Sequence, residues 1–144
     1  MKFRRLSSTL ASVSLAIASF ASVSALNFVR QPAPAIAQEA APTVTTTSST
    51  HAIGLAKHLR KIGAKLYTAY WCPHCDSQKQ RFGSEAVKQL EVVECDRRGV
   101  DPQPQLCRDK KVRGYPTWEI NGRLYSGNHS LESIANFSKY RGNL

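Results

Sequence analysis

The stretch 71–75, with the sequence Trp-Cys-Pro-His-Cys, is the feature that most constrains the fold of this chain. The mixed apolar residues at 64–70 in front of it predict a strand covered on both faces, and residues 76–82 behind it predict a helix. Pro73 suits the first turn of a helix because the N–H that proline lacks would be unpaired there. We therefore expect Cys72 at a helix N-terminus, where unpaired N–H groups and the helix dipole favour a thiolate.

The remaining pattern predicts the order helix, strand, helix, strand, helix, strand, strand, helix. A helix between the first two strands permits a parallel crossover, whereas the Asn121-Gly122 turn makes the last two strands antiparallel. The sequence therefore predicts an α/β domain with a central mixed sheet of about four strands flanked by helices. The predicted helices are 51–62, 73–90 with a break at 83–85, 104–111 and 130–140, and the predicted strands are 64–70, 91–95, 117–120 and 123–126.

The N-terminal 37 residues have the pattern of an export signal. A basic start at 1–5 precedes an apolar run rich in alanine and serine at 10–20, and small residues follow that fit a cleavage site. We predict a signal peptide over 1–37, with cleavage after Ala37 or Ala25. If the signal is not cleaved, it would anchor the chain in a membrane.

The rest of the chain divides into a linker and one domain. Residues 38–50 are mostly Ala, Pro, Thr and Ser with almost no charge, which predicts a disordered linker. Residues 51–144 are then the folded domain, and the total length of 144 residues allows one such domain rather than two.

The charge balance is basic but dispersed. The chain has 20 Lys and Arg against 10 Asp and Glu, a formal net charge of +10. The basic residues form short pairs at 97–98 and 110–111 rather than a long run, and no nucleic-acid-binding motif accompanies them. We therefore expect no nucleic-acid partner, and we expect attraction to acidic partners or an anionic surface.

The four cysteines allow three disulfide pairings. An exported domain with an even number of cysteines fits two disulfides, and the most local pairing joins Cys72 to Cys75 and Cys95 to Cys107. The spacing of the second pair does not match a zinc site, and the histidines are scattered. We therefore expect no metal and no cofactor.

Several motifs together resemble a known family. These are Tyr-Trp-Cys-Pro-His-Cys at 70–75, the pair Cys95 and Cys107, and Gly-Tyr-Pro-Thr-Trp-Glu-Ile-Asn-Gly at 114–122. They resemble the thioredoxin-like domain fused to vitamin K epoxide reductase homologues of cyanobacteria and plants, and the Pro-His dipeptide is that of Dsb-type oxidants. The resemblance implies a thioredoxin-like fold over about 63–141, and we expect a stand-alone exported domain.

The predicted site follows from the motif and from this resemblance. Cys72 should be the nucleophile and Cys75, one turn further into the helix, the resolving thiol. The proline that follows Gly-Tyr is a candidate for a cis peptide bond, and the resemblance implies that its loop lies against the disulfide and the substrate chain. Cys95 and Cys107 form either a structural disulfide or a second redox pair. The predicted supporting residues are Trp71, Pro73, His74, Tyr115, Pro116 and Thr117.

The predicted function is a thiol–disulfide oxidoreductase that acts as an oxidant on exported proteins with cysteines. A stabilised thiolate stabilises the dithiol and so makes the disulfide oxidising. Leu66 occupies the position where thioredoxins have a buried acid, so Cys75 must exchange its proton with water, His74 or another group. The alternatives are a reductase or isomerase fed by a transmembrane electron donor, and a binding module with a structural disulfide.

The resemblance also implies a partner and a compartment. We expect a quinone-linked membrane oxidoreductase of the vitamin K epoxide reductase kind as redox partner. The expected location is the periplasm or the thylakoid lumen, and the expected state is a monomer.

Overall fold

The computed structural model describes residues 37–142. The predicted signal peptide therefore lies outside the described residues except for Ala37, and so does the possible cleavage site at Ala25. Within 37–142, no helix has the length and apolar character needed to cross a membrane.

The observed elements follow the predicted order, with the second helix divided in two. Gly83 separates the two parts because its positive φ of +83° leaves the helical conformation. The last helix ends earlier than predicted because Lys139 is left-handed, with a φ of +56°. The elements are α1 (Thr50–Lys61), β1 (Lys65–Thr68), α2 (Pro73–Phe82), α3 (Ser84–Val87), β2 (Glu91–Glu94), α4 (Pro104–Asp109), β3 (Thr117–Ile120), β4 (Arg123–Ser126) and α5 (Leu131–Ser138).

The four strands form one mixed sheet in the order β2-β1-β3-β4. Strand β1 is parallel to β2 and antiparallel to β3, and the β3–β4 hairpin turns at Asn121-Gly122, both with positive φ. This is the predicted α/β architecture of a thioredoxin-like fold. Because β1 and β2 are parallel, the segments that follow them leave the same edge of the sheet.

The two faces of the sheet are covered unequally. Side chains that alternate along a strand point to opposite faces, so Leu66 packs with α1, α2, α3 and α5, whereas Tyr67 packs on the side of α4. The larger layer contains a continuous core that includes Leu55, Phe82 and Trp118. Helix α2, which carries the cysteine motif at its start, therefore packs against the main core.

Part of the segment 38–50, for which the composition predicted a disordered linker, makes hydrogen bonds to two helices. Its residues 43–48, which we call the strap, cross α2 and α3. The Gln80 side chain accepts from the backbone N–H of Thr45 at 3.1 Å and donates to the carbonyl of Thr43 at 3.1 Å. Ser48 Oγ accepts from the N–H groups of Glu85 and Ala86 at 3.0 and 2.8 Å. Ser48 of the strap therefore provides an acceptor for N–H groups at the start of α3 that have no partner within the helix. The sequence of the strap alone does not indicate this contact.

Candidate active site

Cys72 lies at the N-terminus of α2, as the sequence predicted. It is the N-cap residue, and its Sγ accepts a hydrogen bond from the N–H of Cys75 at 3.3 Å. The turn before the helix is held by a hydrogen bond from the N–H of Cys72 to the carbonyl of Ala69 at 2.9 Å. An N–H group and the positive end of the helix dipole therefore face the sulfur of Cys72.

The two thiols differ in accessibility. Cys72 is 6% exposed and Cys75 is 1% exposed, and neither is bonded in a disulfide. Burial, followed by a hydrogen bond with Cys72, raises the pKa of the Cys75 thiol. Cys72 is thus the sulfur that an incoming group meets first, and Cys75 is held as a neutral thiol behind it. Pro73 and His74 are exposed on the approach to this pair.

The Tyr115–Pro116–Thr117 loop lies against Cys72, as predicted. The Cys72 thiol donates to the carbonyl of Tyr115, with an Sγ–O distance of 3.5 Å. The Tyr115–Pro116 peptide bond is cis, as the sequence predicted. Thr117 Oγ1 donates to the carbonyl of Gly114 at 2.8 Å and so closes the loop on itself. The structure therefore brings together two motifs that lie more than forty positions apart.

Trp71 forms one wall of the approach to Cys72. Its side chain is 56% exposed, and its ring meets the ring of Tyr115 edge to face with a centroid distance of 6.4 Å. Its indole N–H donates to Asp96 Oδ2 at 2.8 Å. Hydrogen bonds from the Arg98 N–H and then from Trp71 lower the pKa of Asp96. This carboxylate therefore stays ionised, and able to accept the indole hydrogen bond, to a lower pH.

Asp96 was not among the residues predicted from the sequence. It follows β2, and Trp71 follows the parallel neighbour β1, so the two meet at one edge of the sheet. The pairing of two predicted parallel strands could have indicated this contact, because residues beyond the carboxyl ends of such strands are neighbours.

Two further charged residues near the site, Lys79 and Glu94, were also missed. Lys79 lies one helical turn after Cys75 and belongs to the buried face of α2. Its spacing of four positions was a usable signal, because residues four apart share a helix face. Glu94 is the last residue of β2, and its position beside the site depends on the sheet register.

Cys95 and Cys107 form a disulfide that joins the end of β2 to α4, which confirms this half of the most local pairing. The two cysteines are 7% and 4% exposed. Tyr115 packs against the group of residues that contains this disulfide and also against the group that contains Cys72 and Cys75. A single aromatic ring therefore connects the two pairs of cysteines.

No metal centre is evident in the part of the chain that the structure describes. Among residues 37–142, no three His, Cys, Asp or Glu side chains are grouped in a way that could hold a metal ion. The chemistry that the described side chains can supply at this site is that of two thiols with nearby carboxylates and a lysine.

The structure defines a thioredoxin-like domain with a dithiol at the start of α2 and a cis-proline loop against it. In sequence the chain is similar to the thiol-disulfide oxidoreductase LTO1 of Arabidopsis thaliana, with 43% identity over 100 residues. The match covers 67% of this chain and 27% of the relative, so the chain spans about a quarter of that protein's length. No family model matches the sequence.

Proposed function

We propose that this chain is an exported thiol–disulfide oxidoreductase that exchanges disulfides with cysteine-containing proteins through Cys72 and Cys75. The observation that carries the proposal is the position of Cys72: its sulfur caps a helix, accepts an N–H and lies in front of the buried Cys75. The name of the Arabidopsis relative, a thiol-disulfide oxidoreductase, supports the same chemistry.

The exchange balances with the two cysteines alone. A substrate thiolate attacks Cys72 Sγ of the Cys72–Cys75 disulfide, a substrate–Cys72 bond forms, and Cys75 leaves with the electron pair and takes a proton. The second substrate thiol, as its thiolate, then attacks the substrate sulfur of the mixed disulfide and releases Cys72. The substrate has lost two electrons and two protons, and the enzyme holds them as a dithiol.

The groups around Cys72 favour the oxidising direction. The N–H of Cys75 and the start of α2 stabilise an anionic sulfur in the reduced protein, which makes the disulfide a better oxidant. In this proposal the chain acts in the periplasm or the thylakoid lumen, and a quinone-linked membrane oxidoreductase removes two electrons and two protons from it and restores the disulfide.

Trapping with the Cys75→Ala variant tests the exchange. Without the resolving thiol, a substrate joined to Cys72 cannot be released by Cys75. We therefore expect stable mixed disulfides that a dithiol reagent reduces. The measurement is a mobility shift on non-reducing gels after the variant is mixed with proteins that contain disulfides. The double variant Cys72→Ser, Cys75→Ala is the control and should give no adduct. A folded Cys75→Ala protein that forms no adduct would contradict the proposed function.

The redox state of the protein in cells tests the direction separately. For an oxidant we expect Cys72 and Cys75 to be mostly in the disulfide form at steady state. Acid quenching followed by alkylation with a maleimide of high mass measures this, with Cys75→Ala marking the mobility of a single free thiol. A pair found mostly reduced would contradict the oxidising direction and support a reductase or isomerase.

A further inference from the structure

Gln78 is a buried polar residue of α2 that the exchange chemistry does not use. It lies three positions after Cys75 and is 0% exposed. Its side-chain amide makes two hydrogen bonds with the backbone of one distant residue, His129: Nε2 donates to the carbonyl at 3.1 Å and Oε1 accepts from the N–H at 2.8 Å. Because the amide is paired on both its donor and its acceptor side, it fixes α2 and the segment around His129 relative to each other.

The segment that Gln78 holds is the connection between β4 and α5, residues 127–130, which we call the clamp loop. Two further contacts join this loop to α2. Asn128 Nδ2 donates to Ser77 Oγ at 3.0 Å, and Asn128 Oδ1 accepts from Arg81 Nε at 3.1 Å. These two contacts are exposed to water, which competes for their polar groups, whereas Gln78 is buried. The Gln78 pair is therefore the contact whose loss should free the loop most.

The clamp loop in turn holds the cis-proline loop. The N–H of Gly127 donates to the carbonyl of Pro116 at 2.8 Å, and Gly127 has a φ of +104°, which residues with a side chain rarely adopt. The carbonyl of Tyr115 contacts the Cys72 thiol on the other side. The contacts thus form a closed ring that runs from Cys72 along α2 to Gln78, through the clamp loop to Pro116, and back to Cys72.

The position of the cis-proline loop matters more for a protein substrate than for a small reagent. Cys72 is 6% exposed, and its sulfur lies against the carbonyl of Tyr115, whose ring meets Trp71. A polypeptide that brings a sulfur to Cys72 therefore has to pass beside Tyr115 and Pro116. A small dithiol can reach the same sulfur without lying along the loop. A shift of the loop should accordingly weaken the binding of a peptide and leave the reaction with a small dithiol almost unchanged.

We propose that Gln78 is a positioning residue for protein substrates: it fixes the clamp loop on α2, and Gly127 of that loop holds Tyr115 and Pro116 in place beside Cys72. The inference rests on the proposed function and concerns how a substrate chain binds, not how the sulfur atoms exchange. Without the Gln78 amide, the N–H and the carbonyl of His129 lose their buried partners. The clamp loop should then move towards water, because unpaired buried polar groups are costly.

Reduction of the Cys72–Cys75 disulfide by two different dithiols tests the proposal. One is a reduced peptide with two cysteines, used at increasing concentrations, and the other is dithiothreitol. Gln78→Met keeps a side chain of similar length and removes the amide. For this variant we expect the peptide concentration at half-maximal rate to rise roughly tenfold. The maximal rate with the peptide and the rate with dithiothreitol should stay within about twofold of wild type.

Two variants complete the experiment. Gln80→Met is the matched control, because the Gln80 amide on the same helix also pairs with backbone groups, but with those of the strap. It should leave the half-maximal peptide concentration near the wild-type value. Asn128→Ala removes the exposed contacts of the clamp loop and should raise that concentration by about threefold. If Gln78→Met does not fold, Asn128→Ala decides the question, and an unchanged concentration would then overturn the inference.

Amide hydrogen exchange reports on the ring of contacts independently of activity. In Gln78→Met the N–H of Gly127 should exchange faster than in wild type, because its bond to Pro116 opens more often. A folded Gln78→Met protein with a wild-type half-maximal peptide concentration, or with equal losses towards the peptide and dithiothreitol, would overturn the inference. A wild-type protein whose disulfide does not react with the peptide would instead overturn the proposed function.

Discussion

Replacing Cys72 with serine is expected to reduce thiol–disulfide exchange by at least about 10³-fold. A hydroxyl is not ionised at neutral pH and cannot form the mixed disulfide, so no covalent step remains. Cys75 cannot take over the attack because it is 1% exposed and burial raises its pKa. The measurement is the rate at which the oxidised or reduced protein exchanges with a peptide that carries two cysteines.

The choice of serine makes this result specific to the chemistry. Cys72 is the N-cap of α2, and serine is among the preferred N-cap residues, so the helix start should be retained. We expect the urea midpoint of the variant to lie close to that of the wild type. If a folded Cys72→Ser protein kept more than about a tenth of the exchange rate, the nucleophile would have to be another cysteine.

The sheet is predictable from the sequence because its determinants are local. The Asn121-Gly122 pair fixes the β3–β4 hairpin, and both residues have the positive φ that such a turn needs. Gly83 marks the break between α2 and α3 in the same way. The strap was not predictable because its partners, Gln80 and the start of α3, lie more than thirty positions away and are polar. A composition of mainly Ala, Pro, Thr and Ser predicted a linker, since it offers few apolar side chains for core contacts.

The residues of the candidate site also fall into two groups: those that the local sequence predicts and those that depend on residues distant in sequence. The motif itself predicts the positions of Cys72 and Cys75 at the start of a helix. The loop at Tyr115 could be placed because its own sequence is distinctive. Glu94 and Asp96 could not be assigned from their own neighbours. They reach the site through the parallel register that sets Thr68 of β1 beside Glu94 of β2. Side chains that depend on a register are visible only once two strands have been paired correctly.

Removal of the second disulfide has the largest expected effect on stability. In the double variant Cys95→Ala, Cys107→Ala, the free energy of unfolding should fall by about 3 kcal/mol, since the bond closes a short loop in the unfolded chain. This is a large part of the total for a domain of this size. Urea unfolding of the double variant and the wild type measures it. Arg108→Ala, an exposed change next to Cys107 in α4, is the matched control and should have little effect.

The same variant separates the structural role of this disulfide from a redox relay. Both cysteines are almost fully buried and Tyr115 packs between them and the dithiol, which favours a structural role. We therefore expect exchange with a small dithiol peptide to stay within about threefold of wild type while the protein is folded. If the second disulfide were a redox relay, the double variant would lose its reoxidation, because electrons could no longer pass through Cys95 and Cys107. A folded double variant with unchanged stability, or one that still reacts at Cys72 but is no longer reoxidised, would contradict the structural role.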